Sequence, residues 1–210
     1  MYNILNNNLT LKKISDNIIV VDNILNNAFV DFLRLRMQLS NKYNGNYKNY
    51  QSMDFLPNKD NMMDMLSKEI INKFKLPEYK RTWSFIYKNN TKGINAHADP
   101  SNTTVNLWVT PDECMKDSTK NGLLICDKKQ PKEWMKIHPD YLVGSNYNYV
   151  DEFFKNEKSS IIKIKYKCNR AIFFDGSLFH KTDTIKTYEG LLNKRVSYTI
   201  LFGDNLHGFC

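Results

Sequence analysis

The apolar pattern of this chain predicts a mainly β protein, with helices at the N-terminal end and an antiparallel, jelly-roll-like core behind them. From Arg81 onward the apolar period is two: "RTWSFIYK", "INAHAD", "TTVNLWVT", "GLLIC", "SIIKIKYK", "RAIFFD" and "RVSYTILFG" each read as a short strand rich in Val, Ile, Tyr, Phe and Thr. No helix-length segments separate them, as βαβ units would require. Before Arg81 the period is closer to helical. The 210 residues suit one domain, 1–210, in which 1–80 is mostly helical support and 81–203 forms the β core.

The N-terminal part opens with "NIIVVDNIL", whose β-branched run suits a strand. Asp22 or Asn23 then stands where a cap is expected for a helix through "AFVDFLRLRMQLS", with Phe29, Phe32, Leu33, Leu35 and Met37 at near-helical spacing. "NKYNGNYKNYQ" reads as a polar loop. A second helix is expected across "KDNMMDMLSKEIINKF", where Met62, Met65, Leu66, Glu69 and Ile70 recur in threes and fours; this methionine stripe reads as core packing. Residues 127–160 interrupt the strand rhythm with a long connection carrying two prolines and many aromatics, the pattern of an insertion or lid.

A hydrophobic fraction of 41% and an aromatic fraction of 13% exclude a disordered chain. No apolar run reaches the roughly 18 residues that span a bilayer, and the first residues lack a signal-peptide pattern, so a soluble, cytoplasmic protein with no membrane partner is expected. The cysteines, Cys114, Cys126, Cys168 and Cys210, are far apart and read as reduced thiols. A formal net charge of +8 raises a nucleic-acid or acidic-metabolite partner, but the basic residues are dispersed through an Asn-, Lys- and Ile-rich chain rather than gathered in a patch.

The chemistry concentrates in three places. In "NAHADPS", His97 and Asp99 stand two apart, so on a strand both project from one face with Ala98 behind them. His180 follows a strongly apolar strand and a "DGS" turn, where a late strand can return beside an early one. Two histidines and a carboxylate form the facial set of non-haem iron oxygenases, which leaves coordination positions open. Fifteen residues on, Arg195 and Ser197 again stand two apart, a guanidinium fork and a hydroxyl suited to a carboxylate.

The order H-x-D, distal His and R-x-S resembles that of the iron(II)- and 2-oxoglutarate-dependent oxygenases, prolyl-hydroxylase-like or phytanoyl-type members included, over Trp83 to Gly203. The resemblance implies a double-stranded β-helix (a jelly roll, cupin-like), with His97, Asp99 and His180 as iron ligands. It also implies Arg195, Ser197 and Tyr87 as partners of 2-oxoglutarate, with O2 as the second cosubstrate. The implied reaction is hydroxylation of a small molecule or an amino-acid side chain, coupled to conversion of 2-oxoglutarate to succinate and CO2. Iron halogenases carry a small residue in place of Asp99, so oxygenation is favoured. DNA and RNA repair dioxygenases have a second arginine six residues after the first, where this chain has Leu201.

Substrate contacts are expected from Asn106 and Trp108, which share a strand face, and from Trp134, His138 and Tyr141 in the long connection; Arg170 and Lys181 flank the His180 strand as candidate anion contacts. Two rival readings remain: a nucleic-acid oxygenase, demethylase or binding module, and a non-catalytic cupin-like metal- or ligand-binding protein.

Overall fold

A computed structural model describes residues 3–129, 148–157 and 160–204. Two antiparallel sheets dominate it. In chain order the elements are β1 (Thr10–Lys13), β2 (Ile18–Asp22), α1 (Asn27–Gln38), β3 (Gly45–Asn46), β4 (Tyr50–Phe55), α2 (Asn61–Phe74), β5 (Tyr79–Tyr87), β6 (Thr103–Trp108) and β7 (Leu123–Lys129). They continue with α3 (Asn148–Asn156), β8 (Ile161–Ile164), β9 (Arg170–Asp175), β10 (Leu178–Thr182) and β11 (Val196–Phe202). The larger sheet has the order β1-β2-β9-β6-β11-β5-β4-β3, and the smaller β10-β7-β8.

Strand alternation divides the large sheet into two faces. Ile86, Val105, Leu107, Phe173, Val196, Tyr198 and Ile200 face the helices and pack with Leu33 and Met37 of α1 and Met63, Leu66 and Ile70 of α2. The opposite face presents Ile18, Val20, Trp108, Ile172 and Phe174 to Leu123, Ile125, Ile164 and Leu178 of the smaller sheet. Each fully buried side chain of this size contributes about 1.5–3 kcal/mol of transfer free energy, so both faces are strongly specified.

The N-terminal third holds four strands as well as two helices. The segment expected to be a polar loop forms β3 and begins β4, its polar residues tolerated because this edge is half-exposed. Asn26, not Asp22 or Asn23, caps α1 by accepting the Phe29 N–H at 2.8 Å; Asn23 adopts a left-handed conformation (φ 55°) that belongs to a turn. Helix α1 buries Phe29, Val30, Leu33 and Met37, whereas Phe32 is exposed. Helix α2 buries Met63, Leu66, Ser67 and Ile70, so the stripe is shifted from the expected one and Met65 faces solvent. Glu69 accepts hydrogen bonds from the backbone of Ile4 and Leu5.

The "INAHAD" segment is not a strand. It runs as an extended loop with a single bridge, His97 to His180. Of the expected lid, 127–160, the structure describes the end of β7 and helix α3, a helical segment between strands that the sequence pattern does not predict, while its candidates Trp134, His138 and Tyr141 lie outside the described residues, as does Cys210. Among the described residues Cys114, Cys126 and Cys168 are free, the first two buried. Among the described residues no helix is long and apolar enough to cross a membrane.

Candidate active site

Three short devices bring His97, Asp99 and His180 together. His97 and His180 exchange backbone hydrogen bonds of 2.9 and 2.8 Å, which fixes the two imidazoles side by side with ring centroids 4.4 Å apart. The Asp99 N–H donates to Gly176 O at 2.8 Å, tying the loop to the turn before β10. Gly176 is required by this approach, since a Cβ there would stand 2.3 Å from Ser101 O and 2.4 Å from Ser101 Oγ. The expected shared strand face thus arises differently: one bridge and one turn take the place of a continuous strand.

One potential ligand atom from each residue lies within 4.8 Å of the others. Asp99 Oδ1 is 3.6 Å from His97 Nε2, and Asp99 Oδ2 is 3.4 Å from His180 Nε2. Both Nδ1 atoms face carbonyls, Asn95 O at 2.7 Å for His97 and Leu178 O at 3.0 Å for His180. A carbonyl only accepts, so each Nδ1 carries the proton and each Nε2 offers a lone pair toward Asp99. Burial, opposed by the Asp99 charge, pushes His180 down to about 4, which keeps its imidazole neutral near pH 7.

With both imidazoles in the neutral form, the three side chains present a convergence of electron-pair donors. Asp99 is 3% and His180 2% exposed, while the His97 side chain keeps 27% of its surface. Asp99 Oδ2 accepts the Thr104 hydroxyl at 2.8 Å, and Thr104 in turn contacts Ser101 Oγ at 2.9 Å; Asp99 Oδ1 is buried without a hydrogen-bond partner. A buried carboxylate facing two lone pairs is costly unless a cation fills the space, so this donor set fits a divalent metal. Hydrogen bonds from Nδ1 to carbonyls are the outer contacts that orient imidazole ligands.

Arg195 lies immediately before β11 of the larger sheet. It is 1% exposed, Nε and Nη1 are buried without partners, and among the described residues no carboxylate pairs with it. An uncompensated buried guanidinium is a site prepared for an anion. Ser197 Oγ is 3.4 Å from Tyr87 Oη, and Tyr87 Oη is 3.4 Å from Thr182 Oγ1. Arg195, Ser197 and Tyr87 therefore gather in one place, and Thr182 joins them.

The remaining candidates sit elsewhere in this frame. Asn106 and Trp108 share the inner face of β6, both buried; Trp108 Nε1 donates to Asn106 Oδ1 at 2.7 Å, and Asn106 Nδ2 to Thr199 Oγ1 at 3.2 Å. Arg170 is engaged structurally, its fork closing on Asp22 with contacts of 2.6 and 3.0 Å. The Lys181 ammonium lies 4.8 Å from the Phe154 ring. Leu201 is buried within β11. The sequence pattern does not single out Thr104, Tyr166 or Thr182. Thr104 is recoverable from alternation, since Thr104, Asn106 and Trp108 share a face; Tyr166 and Thr182 carry no local signal.

No protein-family profile matches the sequence, and no curated protein matches it. Solved structures do. A prolyl hydroxylase from Trichoplax adhaerens, in complex with a hypoxia-inducible-factor peptide fragment, superposes with a TM-score of 0.59 at 13% identity, over 92% of this chain and 86% of that one. HygX from Streptomyces hygroscopicus, with nickel and 2-oxoglutarate bound, gives 0.59 at 9% identity, over 88% and 81%. A Pseudomonas putida prolyl-4-hydroxylase gives 0.51 at 12% identity, over 90% and 93%. The chain shares its fold with these proteins.

Proposed function

We infer that this protein is a non-haem Fe(II)- and 2-oxoglutarate-dependent dioxygenase that hydroxylates a peptidyl or small-molecule substrate. The observation that carries the reading is the presence of two uncompensated groups in one chain: the convergence of ligand atoms at His97, Asp99 and His180, and the buried Arg195, which has no carboxylate partner among the described residues. A simple metal-binding cupin has no need of the second. The two stacked antiparallel sheets support the finer assignment to a double-stranded β-helix, with residues 1–210 as one domain.

In this assignment His97, Asp99 and His180 hold the iron, and Arg195, Ser197 and Tyr87 take the distal carboxylate of 2-oxoglutarate. Bound iron with 2-oxoglutarate supplies activation of O2 coupled to oxidative decarboxylation of the oxo acid to succinate and CO2. The chain's own contribution is positional. The Nδ1–H donors hold both imidazoles in the ligating tautomer, Thr104 holds the carboxylate, and the buried walls exclude water. Asn106, between Thr104 and Trp108 on β6, ties Trp108 to β11 through its hydrogen bond to Thr199. The half-exposed His97 side is the open approach for substrate. The kinds of substrate follow the neighbours, one solved with a peptide and one with hygromycin B.

The test is to load the protein anaerobically with Fe(II), add 2-oxoglutarate and O2, and measure succinate, with calorimetric binding of 2-oxoglutarate alongside. Succinate release and an Arg195→Ala variant that no longer binds the oxo acid are expected. Absence of both binding and turnover in the wild type would remove the assignment.

A further inference from the structure

Arg195 poses a physical problem that its proposed ligand solves only when bound. A guanidinium 1% exposed and without a carboxylate partner among the described residues is ordinarily strongly destabilising. Three aromatic rings surround it. Its Cζ lies 4.8 Å from the Tyr87 ring centroid, 5.3 Å from Trp108 and 5.4 Å from Tyr166. These rings come from β5, from β6 and from the segment after β8, and Trp108 and Tyr166 are themselves stacked, with centroids 5.1 Å apart and planes 18° from parallel.

Each ring is held by its own polar end. Tyr166 Oη donates to Thr110 O at 2.6 Å and accepts the Thr110 N–H at 3.1 Å; Trp108 Nε1 donates to Asn106. Tyr87 Oη meets Ser197 and Thr182. Neither Trp108 nor Tyr166 therefore spends a hydrogen-bond acceptor on the guanidinium. Their attraction is through the ring faces, which offsets desolvation of the cation while leaving Nε and Nη1 unbonded. A carboxylate in their place would pair with those donors and cancel the charge.

We propose that Trp108 and Tyr166 are positioning residues for cosubstrate binding: their stacked pair holds the Arg195 guanidinium charged, oriented and unneutralised, so that its free N–H donors receive the distal carboxylate of 2-oxoglutarate. This rests on the functional reading above and assigns Trp108 to the cosubstrate rather than to the primary substrate. Tyr166 lies outside the H-x-D, His and R-x-S motifs, and it completes the ring around Arg195.

The experiment is anaerobic calorimetry of 2-oxoglutarate into Mn(II)-loaded protein, with Mn(II) affinity measured separately and folding checked by circular dichroism. Tyr166→Leu is expected to weaken 2-oxoglutarate binding by about ten-fold, or about 1.4 kcal/mol, with Mn(II) affinity unchanged. Tyr166→Phe, which keeps the ring, is expected to recover most of the loss. Trp108→Phe gives the same comparison through a weaker cation–π partner if Tyr166→Leu does not fold. Wild-type affinity in both Tyr166→Leu and Trp108→Phe, with Arg195→Leu still unable to bind, overturns the aromatic support alone. A loss in Tyr166→Phe as large as in Tyr166→Leu also overturns it, because the hydroxyl bridge to Thr110 is then what matters. Failure of the wild type to bind 2-oxoglutarate overturns both this inference and the functional reading.

Discussion

Asp99→Asn is expected to stabilise the metal-free protein while abolishing metal binding. In the wild type, Asp99 Oδ1 is buried without a hydrogen-bond partner and lies 3.6 Å from the lone pair of His97 Nε2. An asparagine amide placed there turns that repulsive contact into an N–H donor facing an acceptor. Its oxygen, at the Oδ2 position, still accepts the Thr104 hydroxyl. Removing one unsatisfied buried group and adding one hydrogen bond contributes about 1–3 kcal/mol. For a chain of this size each kcal/mol is about 2–4 °C in Tm. Urea denaturation of both proteins in a chelator reads the difference directly. With Mn(II) at about a thousand times the wild-type Kd the order reverses, because only the wild type gains about 4.1 kcal/mol by binding. A variant less stable than the wild type in the chelator would refute the claim that the three ligands repel one another without a cation.

Two further outcomes follow from the packing. Gly176→Ala forces a Cβ to within 2.3 Å of Ser101 O, so it is expected to destabilise the fold by about 1–3 kcal/mol and weaken Mn(II) binding through the displaced Asp99 loop, both measurable by denaturation and calorimetry. Alkaline stability depends on Cys168 and Tyr79, each pushed up to about 12 by burial from 9.0 and 10.0 respectively. The unfolded chain releases these protons first, so their contribution is complete below about pH 9 and is lost as pH rises toward about 12. Denaturation midpoints measured across that range are expected to fall, and Cys168→Ala is expected to flatten the lower part of the decline.

Much of the β core is legible in the sequence because its signal is local. Alternation in "RVSYTILFG" reports directly which side chains of β11 meet the helices, Val196, Tyr198, Ile200 and Phe202, whereas "RAIFFD" marks β9 as a short unbroken apolar run buried on both faces. The helices are legible as elements but not in phase. Phe32 and Met65 are apolar yet exposed, and the true faces are set by contact with the sheet, which periodicity alone does not contain. Strands β3 and β4 escape notice for the opposite reason: β4 is stabilised by pairing with β5, a partner on the far side of α2 in the chain, and β3 by pairing with β4.

The site divides along the same line. His97, Asp99, His180, Arg195 and Ser197 are each weak signals alone, and only their joint order, H-x-D, distal His and R-x-S, points to them as a set. Thr104, Thr182 and Tyr166 are common types whose roles exist only through contacts made across the fold. The register explains why those contacts cluster. Ser197 stands opposite both Phe85 and Trp108, and Leu201 opposite Thr104, so β11 and β6 run side by side from the Asp99 support to the Arg195 anchor. The large sheet thereby connects Thr104, which supports Asp99, with Trp108, which packs on Arg195. In the proposed reading a dicarboxylic oxo acid answers the demands of both sites, its chelating end directed to His97, Asp99 and His180 and its distal carboxylate to the buried N–H donors of Arg195.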